Sequence, residues 1–293
     1  MINSKESAKS LRIAIAGATG RVGSALVECL SGDPVEIVAL TRNASGIDQD
    51  DRVQVAEIDF DNPSSLTNAM QGADRLFLSH GTSDRQVTNE ILLIDAAVAA
   101  GVPHIVKLSA MGPPTRLHPF DWHMQIEAHL AKQESGYTVL RPSSFMDVLN
   151  RAKAQVVDGT WGGAAEDGAV NLIDRRDVAD VARIALLQGR YVSSQRAYHL
   201  TGPASVTMPE IAGLLSKLLG RTVTYQRRTA AEHRIDLIRA GSTEMVADLL
   251  LGLDLIFRES VMSETTSTVS ELLERPARSV SDWLADNLDG FKH

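Results

Sequence analysis

Gly17, Gly20 and Gly23 are evenly spaced in Gly17-Ala18-Thr19-Gly20-Arg21-Val22-Gly23. The run lies between apolar Ile13-Ala14-Ile15-Ala16 and Ser24-Ala25-Leu26-Val27-Glu28-Cys29-Leu30. This order predicts a strand, a tight turn and a helix. A helix N-terminus presents free backbone N–H groups and a partial positive charge to an anion. Gly17 permits the turn, Gly20 removes a Cβ where a pyrophosphate would sit, and Gly23 lets the helix pack closely on the strand. With Thr19, Arg21 and Val22 they form a candidate dinucleotide-binding loop. A GxxGxxG is weak alone; its position on the first strand of the chain supplies the context that the mechanism needs.

Further candidates follow at strand ends. Strand two closes with Leu40-Thr41-Arg42-Asn43. The residue there meets the adenosine ribose, where a carboxylate selects a free 2′-hydroxyl and an arginine a 2′-phosphate. Arg42 therefore argues for NADP(H) over NAD(H), as does Arg21; the alternative for each is a solvated arginine. Asp59 and Phe60, after strand three, are placed for the adenine amino group and ring, with a turn carboxylate as the alternative for Asp59. Ser79-His80-Gly81 ends strand four at the carboxyl edge, where open α/β sheets bind ligands. Its backbone is expected to pass the pyrophosphate and nicotinamide ribose. His80 either faces nicotinamide or substrate or is a loop histidine with no role.

These residues need a scaffold that brings strand ends together. Strand-like runs at 12–16, 36–41, 53–58, 75–79, 104–108 and 138–141 alternate with helix-period segments at 21–30, 64–70, 85–100 and 122–134. Strict alternation predicts a Rossmann-type, doubly wound parallel sheet. The unbroken apolar runs Ile13-Ala14-Ile15 and Ile37-Val38-Ala39-Leu40 fit strands buried on both faces. After Pro142 the pattern changes. A glycine-rich loop region covers 158–168, and Asp174-Arg175-Arg176-Asp177 precedes a helix over 178–187. Thr207-Met208-Pro209-Glu210 reads as a capping box before a helix over 211–219. Residues 233–257 read as one helical stretch and 279–288 as a terminal helix. The expected organisation is a flexible tail over 1–10, a nucleotide-binding domain over 11–155 with 170–188 packing back on it, and a smaller, mostly helical substrate-binding region over 156–293.

Composition excludes several classes. The 293 residues carry 29 Lys+Arg against 37 Asp+Glu, a net charge of −8, with no basic stripe for nucleic acid. No apolar run is long enough to span a membrane. The single cysteine, Cys29, falls on the apolar face of the first helix and reads as core; a chain with one cysteine forms no internal disulfide, which fits a reducing cytosol. Residues 1–10 lack the apolar segment of a secretory signal, so a cytoplasmic location is expected. There is no Gly-x-Ser-x-Gly elbow, no phosphate-loop Gly-Lys-Ser/Thr and no HExxH, and His123 has no second ligand pair for a metal. Leu249-Leu250-Leu251 reads as core or as a dimer face, which leaves a homodimer open.

Most short-chain dehydrogenases use a Tyr-x-x-x-Lys pair, the lysine lowering the pKa of the tyrosine acid. Tyr137, Tyr191, Tyr198 and Tyr225 are followed four residues on by Arg141, Gln195, Gly202 and Thr229, so no such pair exists. Instead Trp122-His123-Met124-Gln125-Ile126-Glu127 leads into Ser135-Gly136-Tyr137-Thr138-Val139-Leu140-Arg141-Pro142 and Phe145-Met146-Asp147. Together with the glycine loop, Val106-Lys107-Leu108-Ser109, Asp174–Asp177, Leu200-Thr201-Gly202-Pro203 and Glu274–Ser279, this resembles the NmrA-like atypical short-chain dehydrogenases over nearly the whole chain. The resemblance implies a nicotinamide-dependent quinone or azo reductase, with a redox sensor that binds NADP(H) without turnover, or a pathway-specific tailoring enzyme, as alternatives.

Within that family the His123 position is lysine in plant reductases and several sensors, and histidine in bacterial quinone-reductase-like members. A histidine of near-neutral pKa would donate a proton to a developing oxyanion or hold the ribose, with Glu127, one turn on, orienting it. The alternative is an exposed helical histidine. Ser109 matches a serine that contacts substrate or nicotinamide, and Lys107 is assigned by strand alternation to the opposite face. The small-molecule acceptor would be lined by Ser109, Met111, His123, Phe145 and Met146. Where many relatives have Phe-Met-Glu-Asn this chain has Phe145-Met146-Asp147-Val148, which hints at a different substrate.

Overall fold

The computed structural model describes residues 10–44, 53–112 and 120–292, so the expected N-terminal tail lies outside the described residues except for Ser10. The chain divides into two units. The first takes Met1–Ser109, Arg116–Arg141 and Ala179–Tyr198; the second takes Ala110–Thr115, Pro142–Val178 and His199–His293.

The first half alternates β1 (Leu11–Ala16), α1 (Arg21–Leu30), β2 (Val35–Thr41), β3 (Val53–Glu57), α2 (Pro63–Ala69), β4 (Arg75–Leu78), α3 (Gln86–Ala99), β5 (His104–Leu108), α4 (Phe120–Leu130) and β6 (Gly136–Pro142). Then come β7 (Ser144–Phe145), α5 (Lys153–Val157), β8 (Gly162–Gly163), β9 (Ala169–Ile173), α6 (Arg175–Leu187), β10 (Gln195–Leu200), β11 (Ser205–Thr207), α7 (Met208–Leu219), β12 (Gln226–Arg227), α8 (Ala230–Arg239), α9 (Glu244–Arg258), α10 (Thr268–Leu273) and α11 (Val280–Asp286).

A seven-stranded sheet runs β10-β6-β5-β4-β1-β2-β3, and the pairs from β3 through β6 are parallel. The order reverses between β1 and β4, the switch point at which doubly wound sheets open a ligand crevice. Ala16 lies beside Leu40 and Leu78, and Leu78 beside Lys107, so the residues that follow these strands share one carboxyl edge. The central strands are largely apolar because both faces are covered: Ile13, Ile15, Leu76, Phe77 and Ile105 are fully buried. On one face Leu66, Met70, Leu93, Ala97, Ile126 and Leu130 pack against Ala14, Val38, Leu76 and Ile105. α1 contributes Val22, Leu26 and Leu30, spaced four apart along one stripe.

The second half departs from the sequence reading in three places. The helical stretch over 233–257 is two helices, because Gly241 takes φ +87 after α8 and Thr243 caps α9. Residues 158–168 are not all loop: Trp161 and Ala164–Ala165 are buried, and Gly162–Gly163 forms β8. A Cβ on Gly162 would lie 2.5 Å from the Gln226 carbonyl oxygen, so the glycine there serves a close strand approach. Strands β7 and β9 to β12 were absent from the reading. The Thr207 capping box is present as expected, with Glu210 N–H donating to Thr207 Oγ1 and Thr207 N–H to Glu210 Oε2. Among the described residues no helix is long and apolar enough to cross a membrane.

Candidate functional site at the carboxyl edge of the sheet

Gly17 sits at φ +78, and a Cβ there would meet Ser79 Oγ at 2.4 Å and Ser79 O at 2.8 Å. The loop therefore rests directly on the end of β4. A Cβ on Gly23 would meet the Gly17 carbonyl oxygen at 2.0 Å, which fixes glycine where α1 crosses the loop. Gly20 caps α1 with no side-chain hydrogen bond, and no acidic residue occupies the first turn, so the first N–H groups of the helix are left for an anion. Thr19, Gly20 and Arg21 are exposed, and Val22 is buried. Arg42 is exposed beyond β2, and among the described residues neither it nor Arg21 has an ion-pair partner. A cradle without side chains, flanked by two unpaired guanidiniums, fits a dinucleotide bearing a 2′-phosphate.

The other expected cofactor residues are partly committed. Ser79 Oγ donates to Ala16 O at 3.2 Å, so this side chain supports the loop. Asp59 Oδ1 accepts from Asp61 N–H at 2.9 Å, the turn role, with the second carboxylate oxygen left for another donor. Phe60 meets His80 edge to face, ring centroids 6.0 Å apart. His80 Nδ1 lies 2.6 Å from Gly81 O and Nε2 lies 3.0 Å from Asn89 Nδ2. A carbonyl requires a donor and an amide nitrogen an acceptor, so His80 is held as the Nδ1–H tautomer. Gly81 is exposed.

At the end of β5 the structure corrects the reading of Lys107. Positions two apart on a strand share a face, and Lys107 and Ser109 both reach α4. Lys107 Nζ lies 2.7 Å from Glu90 Oε2 on α3 and 3.3 Å from His123 Nδ1, and also donates to Leu108 O. The Lys107 and Glu90 side chains are both 0% exposed. Gln86 Nε2 donates to Glu90 Oε1 at 2.9 Å. Desolvation and the Lys107 ammonium push the His123 pKa down to about 3. His123 is thus a neutral imidazole at physiological pH, not a group poised near neutrality.

Glu127 does not orient His123. It accepts from Ser109 Oγ at 2.5 Å and takes Arg141 in a forked pair, with Nη2 2.5 Å from Oε2. This pairing raises the Arg141 pKa. The Ser109 hydroxyl proton is committed to a carboxylate, which leaves only the lone pairs of its oxygen unspent. Glu90 and Lys107 went unread as functional residues. The available signal was a lysine inside the apolar strand His104–Leu108, since a doubly buried lysine demands a carboxylate nearby.

In the second unit Met111 and Met146 are 7% and 0% exposed, and Phe145 is half-buried. The Asp174–Asp177 and Glu274–Ser279 motifs are structural there. Buried Asp177 accepts from Arg278 N–H at 2.7 Å and from Arg275 Nη2 at 2.8 Å, which ties the two segments together.

A parallel sheet with this switch point, an open glycine-loop helix and unpaired arginines defines a nicotinamide-dinucleotide-binding fold. A family model described as NAD(P)H-binding matches residues 17–188, and the chain belongs to this family of atypical short-chain dehydrogenases. It is 33% identical to the (4-alkanoyl-5-oxo-2,5-dihydrofuran-3-yl)methyl phosphate reductase of Streptomyces griseus, over 95% of this chain and 99% of that protein. It is 29% identical to quinone oxidoreductase 2 of Escherichia coli, over 92% and 96%. The crystal structure of the E. coli NADPH-dependent quinone oxidoreductase complexed with NADPH superposes with a TM-score of 0.84 at 27% identity, over 94% of this chain and 99% of that one.

Proposed function

We propose that this protein is an NADPH-dependent reductase passing hydride to a small conjugated acceptor such as a quinone. The observation that carries the reading is a strand end that offers a neutral hydrogen-bond donor and no protonated acid. His123 is an uncharged imidazole beside Lys107, and the Ser109 proton belongs to Glu127. The glycine loop holds the pyrophosphate, and Arg42 with Arg21 selects the 2′-phosphate. When bound, NADPH supplies the hydride. The His123 ring N–H donates to an oxygen on which negative charge builds, as a neutral imidazole polarises a carbonyl. Such a donor stabilises an oxyanion without giving up its proton. That favours acceptors whose reduced form is a delocalised, weakly basic anion over simple ketones. The two named relatives act on conjugated carbonyl compounds, a quinone and an alkanoyl dihydrofuranone phosphate, and support this class.

The test is NADPH consumption, followed by absorbance, over a small panel of quinones. We expect consumption that requires the quinone and a kcat about 100-fold lower in His123→Leu, which keeps no N–H, the scale for loss of one oxyanion donor. No consumption with any acceptor, while NADPH still binds, would overturn the reductase in favour of a sensor that binds NADP(H) without turnover.

A further inference from the structure

We propose that Glu90 and Lys107 are positioning residues for His123: the buried ion pair fixes the imidazole as the Nε2–H tautomer and makes it a directed donor. The inference rests on the reading of His123 given above. An ammonium has three protons and no lone pair. Lys107 forms an ion pair with Glu90 Oε2 at 2.7 Å and turns its protons to Leu108 O and to His123 Nδ1 at 3.3 Å. Only a ring nitrogen with a free lone pair can face that ammonium, so the ring proton resides on Nε2. Protonating the ring would place two cations side by side in a site where Lys107 is fully buried. Glu90 has its own part. Without a carboxylate, the ammonium at this depth is an uncompensated buried charge with nothing to hold it against the ring. The imidazole would then be free to take either tautomer. Gln86 donates to the other carboxylate oxygen, so Glu90 stays aimed at Lys107.

Among the described residues, the charged groups around His123 are Lys107 from β5 and, behind it, Glu90 from α3; its own helix adds Asp121 and Glu127. Glu127 is taken up by Arg141 and Ser109, so it is not available to hold a proton on the His123 ring. The arrangement differs from a carboxylate–histidine pair. There the carboxylate accepts from the ring and raises its basicity. Here the ring accepts from a cation, which lowers its basicity and leaves a fixed N–H on the opposite side.

The test uses full-length protein carrying 15N-histidine, with long-range 1H–15N spectra recorded from pH 8 to pH 5 and His123 assigned with His123→Gln. The wild type is expected to show the neutral Nε2–H pattern for His123 throughout, without a titration midpoint. Lys107→Met alone strands a buried carboxylate and risks the fold, so the deciding variant is Glu90→Gln with Lys107→Met, which removes both charges at nearly constant volume. In that double variant His123 should show mixed tautomers and titrate at a higher pH than in the wild type, yet still below its ordinary value of about 6.5 because its burial remains. The pH profile of quinone reduction should gain an inflection at the same place. A wild-type Nδ1–H pattern, a wild-type midpoint near 6.5, or a folded double variant with unchanged spectra would each overturn the proposal. Turnover of His123→Leu, which keeps no N–H, separately decides the reading beneath it. If turnover is unchanged while the wild-type spectrum is as expected, the catalytic role fails and the positioning claim loses its purpose.

Discussion

The loop after β1 and the strand end after β5 lie on the same edge of one sheet, yet they are built by opposite means. Around Gly17, Gly20 and Gly23 side chains are withheld: the backbone folds on itself so tightly that a Cβ at Gly23 would meet a carbonyl oxygen at 2.0 Å, and Arg21 and Arg42 have no ion-pair partner among the described residues. Around Lys107 charged groups are crowded and paired with one another: Glu90 by its ion pair and Gln86, Leu108 O and His123 by hydrogen bonds. A site for a highly charged ligand is best left electrostatically unfinished, so that the ligand completes it. A site that must hold one protonation state is best completed in advance, so that pH and solvent cannot alter it.

The sharpest way to break this comparison is to remove charge from the crowded site. Lys107→Met alone leaves Glu90 unpaired in the core and is expected to lower stability by about 3–5 kcal/mol, whereas the double variant with Glu90→Gln should lose far less. Chemical denaturation compares them; equal losses would mean that the pair is not internally compensated. In the open loop, Gly23→Ala drives a Cβ into the Gly17 carbonyl. It should cost about 3 kcal/mol or more of NADPH affinity, roughly 150-fold, in a fluorescence titration. Near-normal binding would show that the loop tolerates the displacement.

Arg42→Asp tests the unfinished electrostatics directly. NADPH affinity should fall by about 1.5–3 kcal/mol, with NADH affinity little changed, because one charge-assisted phosphate contact is lost. Equal weakening of both cofactors would refute the 2′-phosphate role. The smallest effect per step of the measurement, read per pH unit and per group, is an acid limb of stability. His123 and His104 have folded pKa values pushed down, by burial first, to about 3 and about 4. A histidine with a depressed folded pKa takes up its proton first in the unfolded chain. Stability should therefore fall as pH drops below about 6.5, by about 1.4 kcal/mol per pH unit for each group. His104→Gln should flatten the slope by one group's share between pH 6.5 and pH 4.5 in denaturation series; an unchanged slope would contradict the assignment.

What could be read from the amino-acid order follows the same division. The first six strands and four helices were legible because doubly buried parallel strands are continuous apolar runs, and the glycine loop because its spacing is a backbone requirement. β10 was not legible: Gln195, Arg196 and Ala197 are exposed, and an edge strand held by backbone pairing leaves no apolar alternation. The break between α8 and α9 was written in Ala240-Gly241-Ser242-Thr243, a left-handed glycine before a capping threonine, but the apolar periodicity on either side masked it. His123 could be singled out by its helix. Its protonation state could not, because the two residues that set it come from β5 and α3 and meet it only in three dimensions. Glu127 was expected to serve His123 and serves Arg141 instead, for the same reason.

Cys29 lies half-buried on α1 with Sγ 3.3 Å from Asp180 Oδ1, and burial together with that carboxylate pushes its pKa up to about 12. Quinones are electrophiles that arylate thiolates by conjugate addition, and only the thiolate form reacts at a useful rate. A protein whose one cysteine stays protonated across the physiological range presents no sulfur nucleophile to such compounds. Resistance to arylation by its proposed acceptors is then the expected consequence of burying one thiol and placing one aspartate beside it.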